Sequence, residues 1–241
     1  MNRRRIAETA GSVALGAWAA FVVLAITVCG RHGTALALDH FLLAWSLGHR
    51  PGAAVAVARG LTATGTGAVP YALAVLAGLL AGRTRRRRLL AALLAVTCLA
   101  TGQALRYGVM ELVGRARPPH RDWQTAASGW SFPSGHSTTA ALTASLVILA
   151  LCVRAPRGRL PLCLAAAAWG AGVGLTRVFL GVHWFTDVLG GWLFAVGWLG
   201  VCVCAAAWWL PPSLISTDGE ADPPPATDQA DTPGEACAPR S

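Results

Sequence analysis

Residues 184–210 read WFTDVLGGWLFAVGWLGVCVCAAAWWL, and Asp187 is the only charged residue among them. A helix that crosses a bilayer needs about 20 consecutive and predominantly apolar residues, so this run is long enough to span a membrane. Further apolar runs precede it along most of the chain. The sequence therefore predicts an all-α fold, a polytopic membrane helix bundle with six transmembrane helices.

The six predicted spans end at residue 210. They are Gly11–Gly30, a second span that ends near Ala81 and is most apolar after Thr66, Leu89–Val113, His136–Val153, Leu160–Leu175 and Trp184–Leu210. A signal peptide is the alternative for the first run, but its apolar core would hold only about 7–15 residues, so a retained helix is favoured. Residues 31–50 place apolar side chains at helical spacing and predict a short helix in the membrane interface.

The last 31 residues differ from everything before them. Residues 211–241 are rich in proline and acidic residues and contain almost no large apolar side chain. Such a segment has too little apolar surface to fold by burial. We therefore expect a membrane domain over residues 1–210, followed by a disordered, acidic, Pro-rich cytoplasmic tail.

The overall composition excludes an ordinary soluble domain. Of the 241 residues, 54% are hydrophobic and only 13% are charged, against about 25% charged in a typical soluble protein. All 20 basic residues are arginine and the net charge is +9, but the arginines lie in short clusters between apolar runs, which argues against a nucleic-acid partner. The seven cysteines show neither disulfide spacing nor a metal-ligand pattern, and neither a metal nor another cofactor is expected.

The arginine clusters also predict the orientation in the cell membrane. Arg3–Arg5, Arg83–Arg88 and Arg154–Arg159 flank alternate spans. Positively charged loops stay in the cytoplasm, so these three segments are predicted to be cytoplasmic. Both termini are then cytoplasmic as well, and the loops after the first, third and fifth spans face outward.

Three motifs follow one another on this predicted outer side. They read GRARPPHRDW at 114–123, SFPSGHS at 131–137 and TRVFLGVHWFTD at 176–187. Guanidinium groups present fixed, forked donors to phosphate oxygens, and a Ser-Gly pair at a helix start offers further donors to an anion. Two histidines can share the duties of nucleophile and general acid near neutral pH. His183 and Asp187 are four residues apart, so on a helix they share a face and the carboxylate can orient the imidazole.

Arg-Pro, then Pro-Ser-Gly-His, then Arg-x5-His-x3-Asp, in this order, resembles the type 2 phosphatidic acid phosphatase family, whose site is shared with vanadium haloperoxidases. The resemblance implies a metal-independent phospho-histidine mechanism on a lipid phosphate. It assigns His183 as the nucleophile, Asp187 as its orienting group and His136 as the proton donor to the leaving oxygen. The residues that it implies for phosphate binding are Arg117, Ser134, Gly135 and Arg177.

Two positions depart from the family pattern. The usual lysine seven residues before the Arg-Pro arginine is Met110 here, which removes one cationic phosphate ligand. The usual serine before the last motif's arginine is Thr176, which keeps the hydroxyl. Arg106 or Arg115 could replace the lysine, although Arg106 could instead pair with Glu111.

Several functional readings stay open at this point. The leading one is a phosphatase acting on phosphatidate, phosphatidylglycerophosphate or an isoprenoid diphosphate, with membrane lipids around it. A lipid phosphotransferase or a haloperoxidase could use the same residues, and a non-enzymatic transporter or scaffold could use the same spans.

His120 lies outside the motifs and reads as a loop residue. Tryptophans near the predicted span ends read as an interfacial belt, namely Trp123, Trp130, Trp184, Trp208 and Trp209. Oligomeric state has no signal in the sequence.

Overall fold

The structure, a computed structural model, describes residues 3–154 and 157–210, so the predicted tail lies outside the described residues. Every regular element in these ranges is helical, which confirms the predicted all-α fold. The helices are α1 (Arg3–Gly30), α2 (Ala37–Gly48), α3 (Gly52–Ala63), α4 (Ala68–Ala81), α5 (Arg85–Val113), α6 (Gly135–Arg154), α7 (Arg159–Phe179) and α8 (Phe185–Trp209), with one 3₁₀ turn at His120–Asp122.

Five of these helices, α1, α5, α6, α7 and α8, are long and apolar enough to cross a membrane. The second predicted span is broken. It consists of α3 and α4, which pass the same test together but meet at an angle of 53°. The break has the sequence Thr64-Gly65-Thr66-Gly67, and Gly67 adopts a positive φ of 69° that favours glycine. The chain is therefore a multi-pass membrane protein with five candidate spans, or six if α3 and α4 together form one bent span.

The short helix predicted within residues 31–50 is present as α2, and its two faces differ. Its location in the membrane interface stays a prediction. Leu38, Phe41 and Trp45 are exposed, whereas Asp39 and Leu43 are buried against the bundle. Exposed apolar side chains on a short helix beside a set of spans are typical of a helix that lies in the membrane interface. A buried carboxylate on the opposite face is unusual and becomes important at the site.

Helix α8 is the central element, because small residues let its neighbours approach closely. A Cβ added at Gly200 would lie 2.8 Å from the Cβ of Ala14 on α1, and one added at Gly197 would lie 2.9 Å from the indole nitrogen of Trp18. Such contacts are favourable in membranes, where helices associate through packing rather than through exclusion of water. The contact between α1 and α8 anchors the bundle.

The loop between α5 and α6 is held by aromatic packing against this centre. Phe132 is fully buried and stacks on Phe21 of α1 at a centroid distance of 5.7 Å. On its other side, a Cβ at Gly190 of α8 would lie 2.5 Å from the Phe132 ring. Because Phe132 precedes the start of α6 by three residues, this packing fixes the position of the second sequence motif.

Candidate active site

The three sequence motifs meet at one cavity of about 730 Å³. Their residues in its wall are Arg117, Gly135, His136, Arg177 and His183, joined by Thr66 from the break after α3 and by Gln103, Arg106 and Met110 from α5. The end of α5, the start of α6, the end of α7 and the start of α8 therefore converge as expected. Within the described ranges, no group of three or more His, Cys, Asp and Glu side chains is arranged to hold a metal ion.

His183 is buried just before α8, and the hydrogen bonds of its two ring nitrogens are compatible with only one neutral tautomer. Its Nε2 lies 2.8 Å from Nη1 of Arg117, and its Nδ1 lies 3.3 Å from Oδ2 of Asp187. A guanidinium can only donate, so Nε2 accepts and Nδ1 carries the proton donated to Asp187. Burial lowers the pKa of His183 to about 4, although the Asp187 hydrogen bond opposes the shift. The imidazole is thus neutral near pH 7 with its lone pair on Nε2, as a nucleophile requires.

Asp187 is fully buried at the third position of α8. Its Oδ2 also accepts the backbone N–H of Trp184 at 2.9 Å, so this oxygen is fixed toward His183. Its Oδ1 accepts from Nη1 of Arg115 at 2.5 Å. Each carboxylate oxygen therefore has a charged or polar partner of its own, which holds the imidazole from behind.

Arg117 lies between the loop and His183. The backbone carbonyl oxygens of Ser128, Gly129, Trp130 and Val182 accept its N–H groups at 2.7–3.0 Å. Burial lowers the pKa of Arg117 and Asp187 opposes this, but a guanidinium stays charged at any physiological pH. Its Nη1 is shared between Val182 and His183 Nε2, so a cation faces the nitrogen that would attack a phosphorus atom.

The first turn of α6 brings the second motif to the cavity. The Nε2 of His136 lies 3.5 Å from the hydroxyl of Thr66. A Cβ at Gly135 would lie 3.4 Å from the guanidinium carbon of Arg106, so glycine leaves room for that side chain. Ser134 differs from the expectation, because its hydroxyl accepts from the Ser137 hydroxyl at 2.9 Å and its buried side chain does not line the cavity.

Arg177, in the last turn of α7, is almost fully buried at the cavity wall. Its Nη1 donates to the Thr62 hydroxyl of α3 at 3.0 Å, whereas its Nε has no hydrogen-bond partner. A buried guanidinium with an unused donor is costly unless an anion completes it. The geometry up to this point is that of a cationic pocket beside a neutral, oriented histidine.

Comparison with known proteins agrees with this geometry. Residues 91–211, about half of the chain, match the PAP2 superfamily. The chain belongs to the PAP2 superfamily. This match and the relatives described next confirm the predicted family and a phosphatidate phosphatase-like phosphoric ester hydrolase.

Two curated PAP2 relatives and one solved structure are similar to the chain. Phosphatidylglycerophosphatase B of Bacillus subtilis (strain 168) is 33% identical over 146 residues, which cover 59% of this chain and 70% of the relative. The lipid A 1-phosphatase of Rhizobium etli is 40% identical over 99 residues, which cover 37% of this chain and 38% of the relative. The crystal structure of a transmembrane PAP2 type phosphatidylglycerolphosphate phosphatase from Bacillus subtilis superposes with a TM-score of 0.66 and 25% identity, covering 79% of this chain and 94% of that one.

In this PAP2 chain, Arg106 and not Arg115 lies at the cavity. Arg106 points along α5 so that its Nη1 lies 3.2 Å from the sulfur of Met110, the residue at the usual lysine position. It forms no ion pair with Glu111 within 4 Å, and its Nε has no partner. Arg115 is fully buried behind the site and bonded to Gly33, Asp39, Thr186 and Asp187, so the idea that it replaces the lysine is wrong.

One further expectation is wrong, and two residues near the site, Asp39 and Thr66, were not predicted. Trp184 is not part of an interfacial belt, because it is buried with its indole N–H donating to the carbonyl of Ala116 at 3.0 Å. Asp39 was missed, although it is the only acidic residue between Glu8 and Glu111, and that isolation in an apolar region was a usable signal. Nothing in the local pattern marks Thr66 as a residue of the PAP2 cavity, because the break that carries it to the site depends on tertiary packing.

Proposed function

We propose that this PAP2 protein removes the phosphate of a membrane lipid through a phospho-histidine intermediate on His183. The observation that carries the proposal is a neutral His183, held by Asp187 through Nδ1, whose Nε2 faces a cationic cavity. Among the described residues that line this cavity there is no carboxylate. A dianionic phosphate would therefore enter a pocket of uniform sign, where guanidinium groups bind its oxygens.

Unused donors support the same proposal. In the described part of the chain, the buried side-chain nitrogens without a hydrogen-bond partner include the Nε atoms of Arg106 and Arg177. Both residues line the cavity, Arg106 from α5 and Arg177 from α7. A phosphate oxygen is a strong acceptor that would satisfy them, at a gain typical of charge-assisted hydrogen bonds.

The proposed reaction has two steps. First, Nε2 of His183 attacks phosphorus, a P–N bond forms and the P–O bond to the lipid breaks. The lipid oxygen takes a proton from His136 as it leaves, and His136 must gain that proton when the dianionic phosphate binds beside it and offsets the nearby guanidinium charges. Second, a water molecule attacks the phospho-histidine, His136 accepts a proton from that water, and inorganic phosphate leaves while His183 is regenerated. Asp187 stabilises the positive charge that develops on the His183 ring in the first step.

Arg106 completes this site in place of the usual family lysine. Its guanidinium lies beside Gly135 and over Met110, on the cavity side of α5. Arg106, Arg117 and Arg177 then surround the phosphoryl group, and they supply the charge that the Met110 side chain lacks. The Gly135 backbone N–H at the start of α6 is a further donor to the phosphate.

The substrate proposed first is phosphatidylglycerophosphate, in keeping with the names of the similar Bacillus subtilis proteins. Phosphatidate and isoprenoid diphosphates are the other lipid phosphates to test. The site is proposed to face outward in the plasma membrane, with both termini cytoplasmic, because the arginine clusters of the chain flank the opposite ends of the spans.

The test is phosphate release by the detergent-solubilised protein, together with trapping of the intermediate. With ³²P-labelled substrate and rapid quenching, the wild-type protein should carry an acid-labile and alkali-stable label. His183→Ala should lose both the label and the turnover, whereas His120→Ala, a matched change on an exposed loop outside the cavity, should keep both. Activity should survive EDTA. Turnover by His183→Ala, or a strict need for a divalent ion, would overturn the mechanism.

A further inference from the structure

Behind the nucleophile lies a row of buried charges that begins on helix α2. Nη2 of Arg115 donates to Oδ2 of Asp39 at 2.8 Å, and Nη1 of the same guanidinium donates to Oδ1 of Asp187 at 2.5 Å. The side chains of all three residues are fully buried. Asp187 in turn accepts from His183, so one guanidinium connects two carboxylates, and one of them holds the nucleophile.

Asp39 is bound on every side. Its Oδ1 accepts the backbone N–H of Thr186 at 2.8 Å, and the Thr186 hydroxyl lies within 3.0 Å of both carboxylate oxygens. Thr186 also accepts from Nη1 of Arg115 at 2.7 Å. Since Thr186 immediately precedes Asp187, Asp39 contacts the start of α8 directly as well as through Arg115.

We propose that Asp39 is a positioning residue for catalysis, which acts through Arg115 and Asp187 to hold the His183 imidazole in its attacking orientation. This inference rests on the proposed function, in which His183 is the nucleophile. Asp39 touches neither the cavity nor the substrate.

The physical reason is charge balance in a buried site. Arg115 lies between two carboxylates, so its charge is divided between them. Without the Asp39 charge, Arg115 would act on Asp187 alone and weaken the stabilisation that Asp187 gives to the positive ring formed during attack. Its Nη2 would also lose its anionic acceptor in a place that water does not reach, and buried unsatisfied donors drive local rearrangement.

A simpler role for Asp39 is that of a helix cap. It is the third residue of α2, and its Oδ2 accepts the backbone N–H of Leu36 at 3.0 Å. A cap alone stabilises the helix and leaves the chemistry of His183 unchanged. Leu36→Pro separates the two roles, because it removes the capping N–H at a residue whose φ of −79° suits proline and leaves the Asp39 carboxylate in place.

The experiment compares Asp39→Asn with Leu36→Pro and with Glu8→Gln, a matched acid-to-amide change on an exposed side chain of α1. For Asp39→Asn we expect kcat to fall at least tenfold, with KM and the inhibition constant for inorganic phosphate within about threefold of wild type. The two control variants should keep kcat per folded molecule.

The pH profile of kcat/KM distinguishes the two roles, because a purely structural role of Asp39 would leave it unchanged. The charged or titratable groups facing His183 are Asp187 of α8, Arg117 of the loop, Arg177 of α7 and His136 of α6. Asp39→Asn removes one negative charge from behind this set, which disfavours the protonated ring. The acid limb of kcat/KM should therefore move to lower pH by about 0.5 relative to wild type, with the substrate's own ionisation cancelling in the comparison.

Each outcome decides between the readings. If Asp39→Asn keeps the wild-type kcat and the acid limb of its kcat/KM profile does not move, Asp39 is only a helix cap and the proposal is wrong. If Asp39→Asn does not fold, Thr186→Val removes one hydrogen bond from Asp39 and one from Arg115 without changing charge. A fall in kcat of threefold or more at constant KM would then support the proposal, and an unchanged kcat would overturn it. An active His183→Ala protein in the same series would instead refute the proposed function itself.

Discussion

Replacing Arg106 tests how this chain compensates for the missing lysine. Arg106 lies on the cavity side of α5, its Nη1 contacts the sulfur of Met110, and its Nε has no partner. If it binds the phosphoryl group, Arg106→Ala removes a charge-assisted hydrogen bond. Such bonds contribute about 1.5–3 kcal/mol, which corresponds to a fall in kcat/KM of about 10- to 150-fold.

A lysine at position 110 should restore activity to Arg106→Ala but not improve the wild-type protein. The Met110 sulfur lies 3.2 Å from the Arg106 guanidinium, so a lysine at 110 would place its ammonium against the same cation. Met110→Lys alone should therefore leave activity unchanged or lower it, because two like charges meet in a half-buried site. In the Arg106→Ala background the lysine has room and no rival charge, and it should recover a large part of the lost kcat/KM.

The assay is phosphate release at varied lipid concentration in detergent, normalised to folded protein measured by gel filtration. The assay compares Arg106→Ala, Met110→Lys and the double variant. Together with the wild type they form a double-mutant cycle, which measures the coupling free energy between positions 106 and 110. Leu112→Ala, a change at an exposed residue of α5 that does not line the cavity, serves as the control. If Arg106→Ala keeps full kcat/KM, or if the double variant is no better than Arg106→Ala, Arg106 is not the replacement for the lysine.

Three further outcomes follow from the same geometry. After correction for substrate ionisation, the acid limb of kcat/KM should fall near pH 4 and not near 6.5, because the pKa of His183 is about 4 and only the unprotonated ring can attack. A limb at 6–7 would contradict the lowered pKa of His183. Gly135→Ala would place a Cβ in van der Waals contact with the Arg106 guanidinium, 3.4 Å from its carbon, and would narrow the cavity that both residues line. We expect a cost of about 1 kcal/mol, or about fivefold in kcat/KM, whereas Gly108→Ala, where no atom lies within 4 Å of the new Cβ, should change nothing. In a cysteine-free background, Thr125→Cys should react with an impermeant thiol reagent in intact cells and Arg157→Cys should not; the reverse pattern would invert the proposed topology.

The spans could be predicted because their signal is local. Apolar runs of about 20 residues and arginine clusters between them need no knowledge of neighbouring helices. The break between α3 and α4 has only a weak local signal, the glycines Gly65 and Gly67. A Cβ at Gly65 would lie 2.3 Å from Val173 on α7, so the path of the chain there depends on a helix more than 100 residues away. The bent span therefore follows from tertiary packing.

The catalytic motifs could be recognised in the sequence, but the use of each side chain could not. Ser134 and Gly135 are neighbours in one motif, yet the structure turns the serine hydroxyl toward Ser137 and only the glycine toward the cavity. Arg115 and Arg117 are two residues apart in another motif, and they lie on opposite sides of the His183–Asp187 pair. The sequence pattern does not distinguish the two arginines. Only the tertiary structure shows that Arg117 lines the cavity and that Arg115 is buried behind it.

That division of the two arginines is also the physical basis for the reactivity of the site. Arg117 at the front of His183 disfavours a protonated ring and contributes to keeping it neutral before reaction. In the proposed mechanism, Asp187 behind the ring favours the positive charge that forms as Nε2 attacks, and we expect the strength of that effect to depend on how strongly Arg115 acts on Asp187. Asp39 binds the other side of the same guanidinium, and we propose that it thereby limits the effect of Arg115 on Asp187. A ring that is neutral at rest and stabilised as a cation in the transition state needs both conditions together, and the chain meets them with one arginine on each side of a single histidine–aspartate pair.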